Sequence, residues 1–321
     1  MLTYLRVSAQ GLPYLYLVMC ALATAGRGCP TRSVGCGPVP LTISTVNVNG
    51  IRAAVKHRSE ANRGFLPWLD QAGLEGSGLD VVLLQEVRAS AELARDALAP
   101  ALAEGWHLTM SESAVKGHAG VGVLTRGEPA AVRVGFGSAE FDELGRYVEV
   151  DLDTDLGPLT AASLYLPKGA ALSDAEKDIA KHDEKVRFMT EFGDHLGRLV
   201  RRRRHVVVGG DWNIAPAEAD IKNWKGNLKS PGFLPHERAW VADLLAAGWR
   251  DVMRELFPDD AGPYSWWSWR GKAFDNDSGW RIDYQLTNKM LAGRATKAEV
   301  ARAAAYDLRW SDHAPVTVRY E

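Results

Sequence analysis

Acidic, amide, hydroxyl and imidazole side chains recur where the apolar runs of this sequence end. They are Asn47, Asn49, Glu86, Tyr165, Asp211, Asn213, Asp283, Asp312 and His313. Taken singly, such a residue is more often a turn former, a helix cap or part of the core. These residues come from distant segments, and coincidence is a poor explanation for a polar residue at the end of every one of them. The set therefore predicts one functional site.

The acidic members of this set predict a bound cation. If Glu86, Asp211, Asp283 and Asp312 converge, each like-charged pair near 4 Å costs about 4 kcal/mol at an effective dielectric constant of ~20. Such a cluster binds either a proton or a cation. Oxygen donors without cysteine favour a hard ion, Mg²⁺ first and Mn²⁺ second. A metal would also explain how an acidic centre attracts a polyanionic substrate.

The elements that position these residues are predicted to be strands of an α/β domain. The predicted strands are Leu41–Val48, Leu79–Leu84, Val121–Leu124, Tyr147–Leu152, Leu159–Leu166, His205–Val208, Trp280–Leu286 and Pro315–Tyr320. Several are continuous apolar runs, which indicates strands buried on both faces. In open α/β sheets, functional residues gather where strands end.

Two of the intervening helices have clear end signals. Residues 173–176 (SDAE) are typical of a capping box that opens a helix, and its apolar positions are predicted to include Val186, Phe192, Leu196 and Leu199. This helix ends in Arg201–Arg204, where cations favour a helix C-terminus, and we expect these arginines to be solvated. The second helix is predicted from Pro235 to about Ala247, with Gly248 as its stop.

The overall composition is that of a soluble globular protein without a global affinity for nucleic acid. The 321 residues are 24% charged and 46% hydrophobic, and the net charge is −2. These fractions are ordinary for globular proteins. A near-neutral chain binds DNA only through segregated basic residues.

The composition changes sharply near Leu41. Residues 1–40 contain three Arg, no Lys, no acidic residue and all three cysteines. The stretch at residues 11–25 is short for a membrane-spanning helix and close to the apolar part of a secretory signal. Three interpretations stay open, namely a translation start placed too far upstream, an export signal and a folded extension. We expect residues 1–40 to lie outside the core and residues 41–321 to form the catalytic domain, a cysteine-free body that suits the cytoplasm.

Six segments resemble those of the exonuclease III and AP endonuclease family, within the endonuclease/exonuclease/phosphatase superfamily. They are residues 46–52 (VNVNGIR), 84–86 (LQE), 164–167 (LYLP), 210–214 (GDWNI), 280–284 (WRIDY) and 311–315 (SDHAP), and they follow the family's order. Residues 220–227 (DIKNWKGN), 232–235 (GFLP), 264–270 (YSWWSWR) and 276–280 (NDSGW) resemble stretches of its DNA-repair branch. The resemblance implies a single-domain, four-layered α/β/β/α sandwich with two mixed β-sheets.

By matching position, the resemblance also implies a role for each site residue. The implied catalytic residues are Tyr165, Asp211, Asn213, Asp283 and His313, and the implied metal-binding residues are Asn47, Glu86, Asp211, Asn213, Asp312 and His313. Glu86 would be a direct metal ligand, and Asp211 would activate or orient the attacking water. Asn213 and Tyr165 would hold the phosphate. Asp283 would orient His313, which we expect to bind phosphate.

The activity implied is a Mg²⁺-dependent DNA phosphodiesterase of base excision repair. It would cut 5′ to abasic sites in duplex DNA and remove nucleotides or blocking groups from 3′ ends, as a monomer without stable membrane association. The implied DNA-binding residues are Arg52, Lys116, Lys222, Asn223, Lys225, Asn227, Trp266, Trp280 and Ile282, the last three as walls of an abasic-sugar pocket. Lys168 and Gly169 stand where some relatives carry an arginine, which argues against an intercalating role for this loop.

Two other classes of protein remain as alternatives. A phosphoesterase of the same superfamily that acts on a small-molecule or lipid phosphate would share Glu86, Asp211 and His313. It would not be expected to share the loop at residues 222–227 or Trp280. A non-catalytic DNA-binding protein would tolerate loss of the acidic residues, and all of them are present.

Overall fold

The computed structural model describes residues 39–74 and 77–321 of the chain, and the prediction for residues 1–40 lies almost entirely outside these ranges.

The strands are β1 Leu41–Asn47, β2 Val81–Gln85, β3 His107–Ser111, β4 Val121–Thr125, β5 Ala131–Val134, β6 Tyr147–Thr154, β7 Gly157–Tyr165, β8 His205–Asp211, β9 Trp249–Asp251, β10 Asp283–Asn288, β11 Ala295–Val300 and β12 Val316–Tyr320. The helices are α1 Ile51–Ala54, α2 Phe65–Gln71, α3 Ala91–Ala97, α4 Ala99–Ala103, α5 Glu176–Leu199, α6 Pro235–Ala246, α7 Val252–Leu256 and α8 Lys289–Ala292.

These strands form two mixed sheets of six strands each. The first has the order β11-β12-β1-β2-β4-β3, and the second has the order β5-β6-β7-β8-β10-β9. In the first sheet only β1 and β2 are parallel, and in the second only β7 and β8 are parallel. The two mixed sheets predicted from the family resemblance are therefore confirmed.

The two sheets pack face to face and share one apolar core, to which β1, β2 and β12 contribute from the first sheet and β6, β7 and β8 from the second. A buried hydrogen bond also joins the two sheets. The side-chain Nε2 of Gln85 in β2 donates to Ser163 Oγ in β7 at 2.9 Å. Gly209 in β8 allows the close approach, since a Cβ at this position would lie 2.6 Å from Leu83 Cδ1. A larger residue at position 209 would push the sheets apart.

Helices cover the outer face of each sheet and complete four layers. Phe188, Phe192 and Leu196 of α5 pack with Val206 and Val208 of β8 in one buried cluster. Helices α1 to α4 bury apolar side chains against β2 and β4 on the other side. The predicted α/β/β/α sandwich is confirmed, and within the described ranges no helix is long and apolar enough to cross a membrane.

Strand register brings the polar residues together at one edge of the sandwich. Asp211 ends β8, and it lies opposite Tyr165 of the parallel strand β7 and opposite Asp283 of the antiparallel strand β10. In the other sheet, Asn47 at the end of β1 lies opposite Gln85 of β2, and Glu86 follows directly. The sequence prediction that function gathers at strand ends is consistent with this geometry.

Most predicted strands are confirmed, with ends that move by up to three residues. The segment predicted from Trp280 enters its strand only at Asp283, because Trp280 instead forms isolated bridges with Ile221 and Trp266. The sequence analysis did not find β3, β5, β9 and β11. These strands lie at or near the sheet edges, and β5 and β11 are largely exposed, so they lack the apolar runs that identify a buried strand.

The capping box predicted for the long helix is wrong. Helix α5 begins at Glu176 after Ala175, which makes no side-chain cap, and Ser173 Oγ instead donates to Asp178. Val186 is also exposed, and the buried position beside it is taken by Lys185. The α6 prediction is confirmed, since the helix ends at Ala246 and Gly248 follows with a φ of +113°.

Two of the four arginines after α5 are only partly solvated, in contrast to the prediction, whereas Arg201 and Arg203 are exposed as expected. Arg202 lies 3.0 Å from Glu149, and Arg204 lies 3.0 Å from Asp151, both on β6. These contacts tie the end of the helix to the sheet beneath it. The motif predicts a helix end correctly but gives no sign of acidic partners that come from fifty residues earlier in the chain.

Candidate active site

A cleft of about 390 Å³ opens over the strand ends. Its floor includes Glu86, Asp211 and His313, and Trp266 and Trp280 form part of its wall. These residues come from both sheets and from the loops that follow their strands. The two sheets therefore build this cleft jointly.

Asn47 joins the acidic residues of the two sheets. Its Nδ2 donates to Glu86 Oε1 at 2.8 Å and to Asp211 Oδ2 at 2.9 Å. Its Oδ1 accepts from the backbone N–H of Asn49 at 2.9 Å, which fixes the orientation of the amide. The second oxygen of Glu86 pairs with Arg88. Glu86, Arg88 and Asn49 all have positive φ values near +50°, so the loops that carry these groups are tightly constrained.

Asp211 is a buried carboxylate with an unusual proton affinity. Its Oδ1 accepts from the backbone N–H of Asn213 at 3.0 Å. Burial raises the pKa of Asp211, and the negative charges of Asp283 and Glu86 raise it further, to about 7, although nearby His313 opposes the rise. A carboxylate with a pKa near neutrality is suited to accept a proton from water.

Asp283 and His313 form a buried hydrogen-bonded pair. His313 Nδ1 lies 2.8 Å from Asp283 Oδ2, and Ser265 Oγ donates to the same oxygen at 2.7 Å. Burial alone would lower the pKa of His313, but Asp283 and Asp211 raise it to about 10. The imidazole is therefore a cation at neutral pH, and its Nε2 lies 3.8 Å from Asp211 Oδ2. A fixed cation in a cleft is suited to bind a phosphate oxygen.

Tyr165 keeps its proton in this setting. Burial raises the pKa of Tyr165 well above 10.0, and the carboxylates of Glu86 and Asp211 add to the rise. The guanidinium of Arg146 lies 4.9 Å from the centroid of the Tyr165 ring. The phenol therefore keeps its proton, with the Glu86 carboxylate as its hydrogen-bond partner.

Asp312 lies at the side of the cleft with both carboxylate oxygens engaged. Asn49 Nδ2 donates to its Oδ1 at 2.7 Å, and Trp266 Nε1 donates to its Oδ2 at 3.1 Å. Ser311 Oγ donates to the backbone carbonyl of Asn47 at 2.6 Å. The segment at residues 311–313 therefore fixes the end of β1, the Trp266 indole and the His313 imidazole relative to one another.

An apolar wall stands beside the polar floor. The rings of Trp266 and Trp280 meet edge to face at 6.2 Å, and both remain partly exposed to the cleft. They pack with buried Ile282, Ile221 and Phe233 in a separate small cluster. Packing behind the indoles makes this wall rigid.

Comparison with known families identifies this arrangement. Residues 44–313 match the model of the endonuclease/exonuclease/phosphatase family. The chain belongs to this family. The match spans the floor of the cleft from β1 to His313, so the assignment covers the site as well as the fold.

Relatives place the chain in the exonuclease III and AP endonuclease branch of this family, which makes it a hydrolase of the nuclease type. It is 31% identical to exodeoxyribonuclease III of Haemophilus influenzae, over 86% of this chain and 98% of that protein. It is 32% identical to the DNA repair nuclease APEX1 of Danio rerio, over 87% of this chain and 81% of that protein. An AP endonuclease from Archaeoglobus fulgidus superposes with a TM-score of 0.73 at 26% identity, covering 88% of this chain and 99% of the other.

The donor set of the family site fits a divalent cation. Carboxylate oxygens of Asp211 and Asp283 lie within 4.8 Å of one another and of the His313 ring, which as a cation would not itself be a ligand. Oδ1 of Asp283 is buried with no hydrogen-bond partner in the described part of the chain. Glu86 adds a further carboxylate at the cleft, across the Asn47 amide. Oxygen-rich donors of this kind suit hard cations.

The other residues predicted as metal ligands lie close by with their polar atoms in use. Asn47 turns its amide nitrogen toward the carboxylates, and Asp312 accepts two hydrogen bonds. Asn213 lies beside Asp211, and its Nδ2 donates to the carbonyl of Leu166 at 2.9 Å. Direct coordination by these three residues stays a prediction.

The predicted basic DNA contacts lie outside the cleft. Arg52, Lys116, Lys222 and Lys225 are exposed, as is Asn223. Asn227 Nδ2 donates to the carbonyl of Asn223 at 2.9 Å, which shapes the turn that presents the two neighbouring lysines. None of these residues lines the cleft, and their role as phosphate contacts stays a prediction.

Sequence reasoning missed three residues of the site. Arg88 pairs with Glu86, Lys168 lines the cleft 5.9 Å above the ring of Trp266, and Ser265 holds Asp283. Arg88 could have been found from its position two residues after Glu86. Lys168 and Ser265 also lie beside predicted segments, but their partners Trp266 and Asp283 come from parts of the sequence that meet them only in the folded chain.

Proposed function

We propose that this protein is a Mg²⁺-dependent phosphodiesterase that acts on duplex DNA in base excision repair. It cuts 5′ to abasic sites and removes nucleotides or blocking groups from 3′ ends. The observation that carries the proposal is the cleft itself. There a proton-accepting carboxylate, Asp211, lies beside a fixed cation, His313, and against the apolar wall of Trp266 and Trp280.

The polar floor supports in-line attack of water on a phosphodiester. Glu86 and Asp211 would hold Mg²⁺, which when bound supplies positive charge to the phosphate oxygens. Asp211 orients the attacking water and takes its proton. His313, Tyr165 and Asn213 offer fixed donors to the charge that develops on phosphorus-bound oxygens. Asp283 keeps the imidazole in one orientation through its 2.8 Å hydrogen bond.

The apolar wall supports selection of a sugar that lacks its base. An enzyme that acts within a duplex flips its target nucleotide into a pocket. The indoles of Trp266 and Trp280, with Ile282 beside them, would receive a bare sugar beside the floor and would oppose entry of a base. The names of the relatives, an exodeoxyribonuclease III, a DNA repair nuclease and an AP endonuclease, agree with this substrate class.

The proposal includes the setting in which the enzyme works. The described body contains no cysteine, which suits a reducing cytoplasm. Its substrate partner is double-stranded DNA, and the cleft is complete within one chain, so a monomer suffices.

A substrate panel tests the proposal. The purified protein is incubated, with Mg²⁺ or with chelator, with duplexes that hold one abasic-site analogue, a recessed 3′ end or a 3′-phosphate. An inositol phosphate is assayed in parallel. We expect Mg²⁺-dependent cleavage of the abasic duplex on the 5′ side of the lesion. Turnover of the inositol phosphate with no cleavage of any duplex would instead support the small-molecule phosphoesterase.

A further inference from the structure

A buried ion pair lies directly behind the cleft. Lys185 of α5 and Glu237 of α6 are each only 1% exposed, and Lys185 Nζ lies 2.6 Å from Glu237 Oε1. A buried ion pair gives little net stability relative to apolar residues of the same volume. The contacts that this pair makes with the cleft are therefore its more informative feature.

Lys185 uses its remaining protons on two backbone carbonyls of cleft residues. Its Nζ donates to the carbonyl of Asn213 at 3.0 Å and to the carbonyl of Lys168 at 3.3 Å. Its stem packs so tightly that a Cβ at Gly169 would lie 2.9 Å from Lys185 Cδ. Lys185 thus fixes the loop after β7 and the loop after β8 with one ammonium group.

Glu237 fixes a third segment of the cleft. Its Oε2 accepts from the backbone N–H of Gly232 at 2.7 Å and from that of Leu234 at 2.9 Å. Gly232 lines the cleft, and its carbonyl accepts from the N–H of Ala215 at 2.8 Å. The pair therefore joins the loops at residues 168–169, 213–215 and 230–234.

The backbone of Asn213 is one of the features that the pair holds in place. Asn213 has a φ of +48°, a left-handed conformation that asparagine adopts more readily than most residues. In this conformation its N–H reaches Asp211 Oδ1 and its side chain reaches Leu166. Lys185 holds the carbonyl of that same residue.

We propose that Lys185 and Glu237 are positioning residues for the reaction. The pair holds the Asn213 peptide, the Lys168 carbonyl and the Gly232 turn in the arrangement that orients Asp211 and bounds the substrate phosphate. This inference rests on the proposed phosphodiesterase function. In this proposal the buried ion pair controls the geometry of the catalytic step without contacting substrate or metal.

The test compares this pair with an ion pair outside the cleft, in which Glu149 is buried and Arg133 is partly exposed. The double variant Lys185→Met/Glu237→Gln removes both charges together, so that no unpaired charge stays buried. The matched control is Arg133→Met/Glu149→Gln, a pair on β5 and β6 that lies outside the cleft. If the double variant does not fold, Glu237→Gln alone is the second variant, because Gln can still accept from the two backbone N–H groups.

Two readouts are made on the folded proteins below their melting temperatures. We expect kcat on an abasic duplex to fall by at least about 10-fold in the Lys185/Glu237 variant, with KM changed by less than about 3-fold, since a misplacement of reacting groups by about 1 Å can cost about 100-fold in rate. We also expect amide hydrogen exchange at residues 211–215 and 230–234 to accelerate. The control should show neither change.

A normal kcat, or unaltered exchange in these loops, would overturn the inference and leave the proposed function standing. Equal effects in the control variant would also overturn it, because they would indicate general destabilisation. Should the wild-type protein fail to cleave any duplex, the proposed function fails. Hydrogen exchange then still decides whether the pair positions these loops, because it does not depend on the reaction.

Discussion

At the scale of single residues, the cleft combines charges that compensate one another in pairs. Asp283 is matched by His313, and Glu86 is matched by Arg88, while Asp211 is left with a pKa near neutrality. The sequence predicted that these acidic residues and the imidazole lie together, and the structure brings them to one cleft. It gave no sign of the Ser265 bond, which joins distant segments, whereas the position of Arg88 two residues after Glu86 could have suggested the Arg88 contact.

Replacing Glu86 by Ala tests the metal-binding role at this scale. We expect kcat on an abasic duplex to fall by at least about 100-fold, the loss typical of removing one group that stabilises developing charge. Binding of the duplex should persist, because the phosphate contacts are untouched. The measurement is single-turnover cleavage against Mg²⁺ concentration, beside duplex affinity.

Glu140→Ala is the matched control, since Glu140 pairs with Arg187 on the surface away from the cleft. This control variant should behave like the wild type. Near-normal cleavage by Glu86→Ala in Mg²⁺ would contradict the metal-site assignment.

Replacing Trp280 by Ala tests the apolar wall. Loss of the indole should weaken abasic incision and reduce the preference for abasic over intact duplex, by about 1–3 kcal/mol, the scale of one misfitted apolar contact. The measurement is the ratio of kcat/KM on the two duplexes. Metal dependence should stay unchanged, because Glu86 and Asp211 are untouched.

Trp68→Ala serves as the control for Trp280→Ala, because Trp68 packs with Phe65 and Trp310 outside the cleft. An unaltered preference in Trp280→Ala would mean that this indole belongs to the core and does not select the substrate.

At the scale of elements, strand register explains how distant residues meet. Buried strands such as β2 and β8 could be predicted because their apolar runs are continuous, and the polar residues at their ends follow from that. The exposed edge strand β5 could not be predicted, since its alternating pattern is short. The start of α5 was placed wrongly because Ser173 makes a local bond with Asp178 and does not cap the helix.

The packing of α5 on β6 predicts a loss of stability at acid pH. Burial lowers the pKa of His195 from 6.5 to about 4. The unfolded chain therefore binds this proton more readily than the folded chain, and the stability that depends on the neutral ring is lost as pH falls from about 6.5 to about 4. We expect a loss of about 1–3 kcal/mol from this residue across that range.

Replacing His195 with a ring that does not titrate isolates the contribution of this histidine to the pH dependence of stability. His195 stacks on Phe192, so His195→Phe keeps the aromatic packing and removes the titrating group. The measurement is the free energy of unfolding in denaturant at pH 7.5, 6.0 and 4.5 for both proteins. Titratable groups away from residue 195 affect both proteins alike, so the variant should lose less stability than the wild type. If the free energy of unfolding changed with pH by the same amount in both proteins, His195 would make no contribution to the pH dependence.

At the scale of the whole molecule, the sandwich begins where the composition changes. Strand β1 starts at Leu41, and it pairs with β12 at the other end of the described chain. We expect a truncated protein that starts at Leu41 to melt within about 2 °C of the full chain, which corresponds to less than about 1 kcal/mol for a domain of this size. Thermal unfolding and abasic-site cleavage check this expectation. A clearly lower melting temperature would show that the first forty residues are part of the fold.

The central claim is that the cleft over the strand ends cuts DNA at abasic sites with Asp211 as its proton acceptor. The most direct measurement is single-turnover incision of a duplex with one abasic-site analogue, in Mg²⁺, by the wild type and by Asp211→Asn. We expect incision 5′ to the lesion by the wild type, and a fall of at least about 100-fold in Asp211→Asn with duplex binding retained. Incision by Asp211→Asn at the wild-type rate, or incision by neither protein, would show that this cleft does not cut abasic DNA in the proposed way.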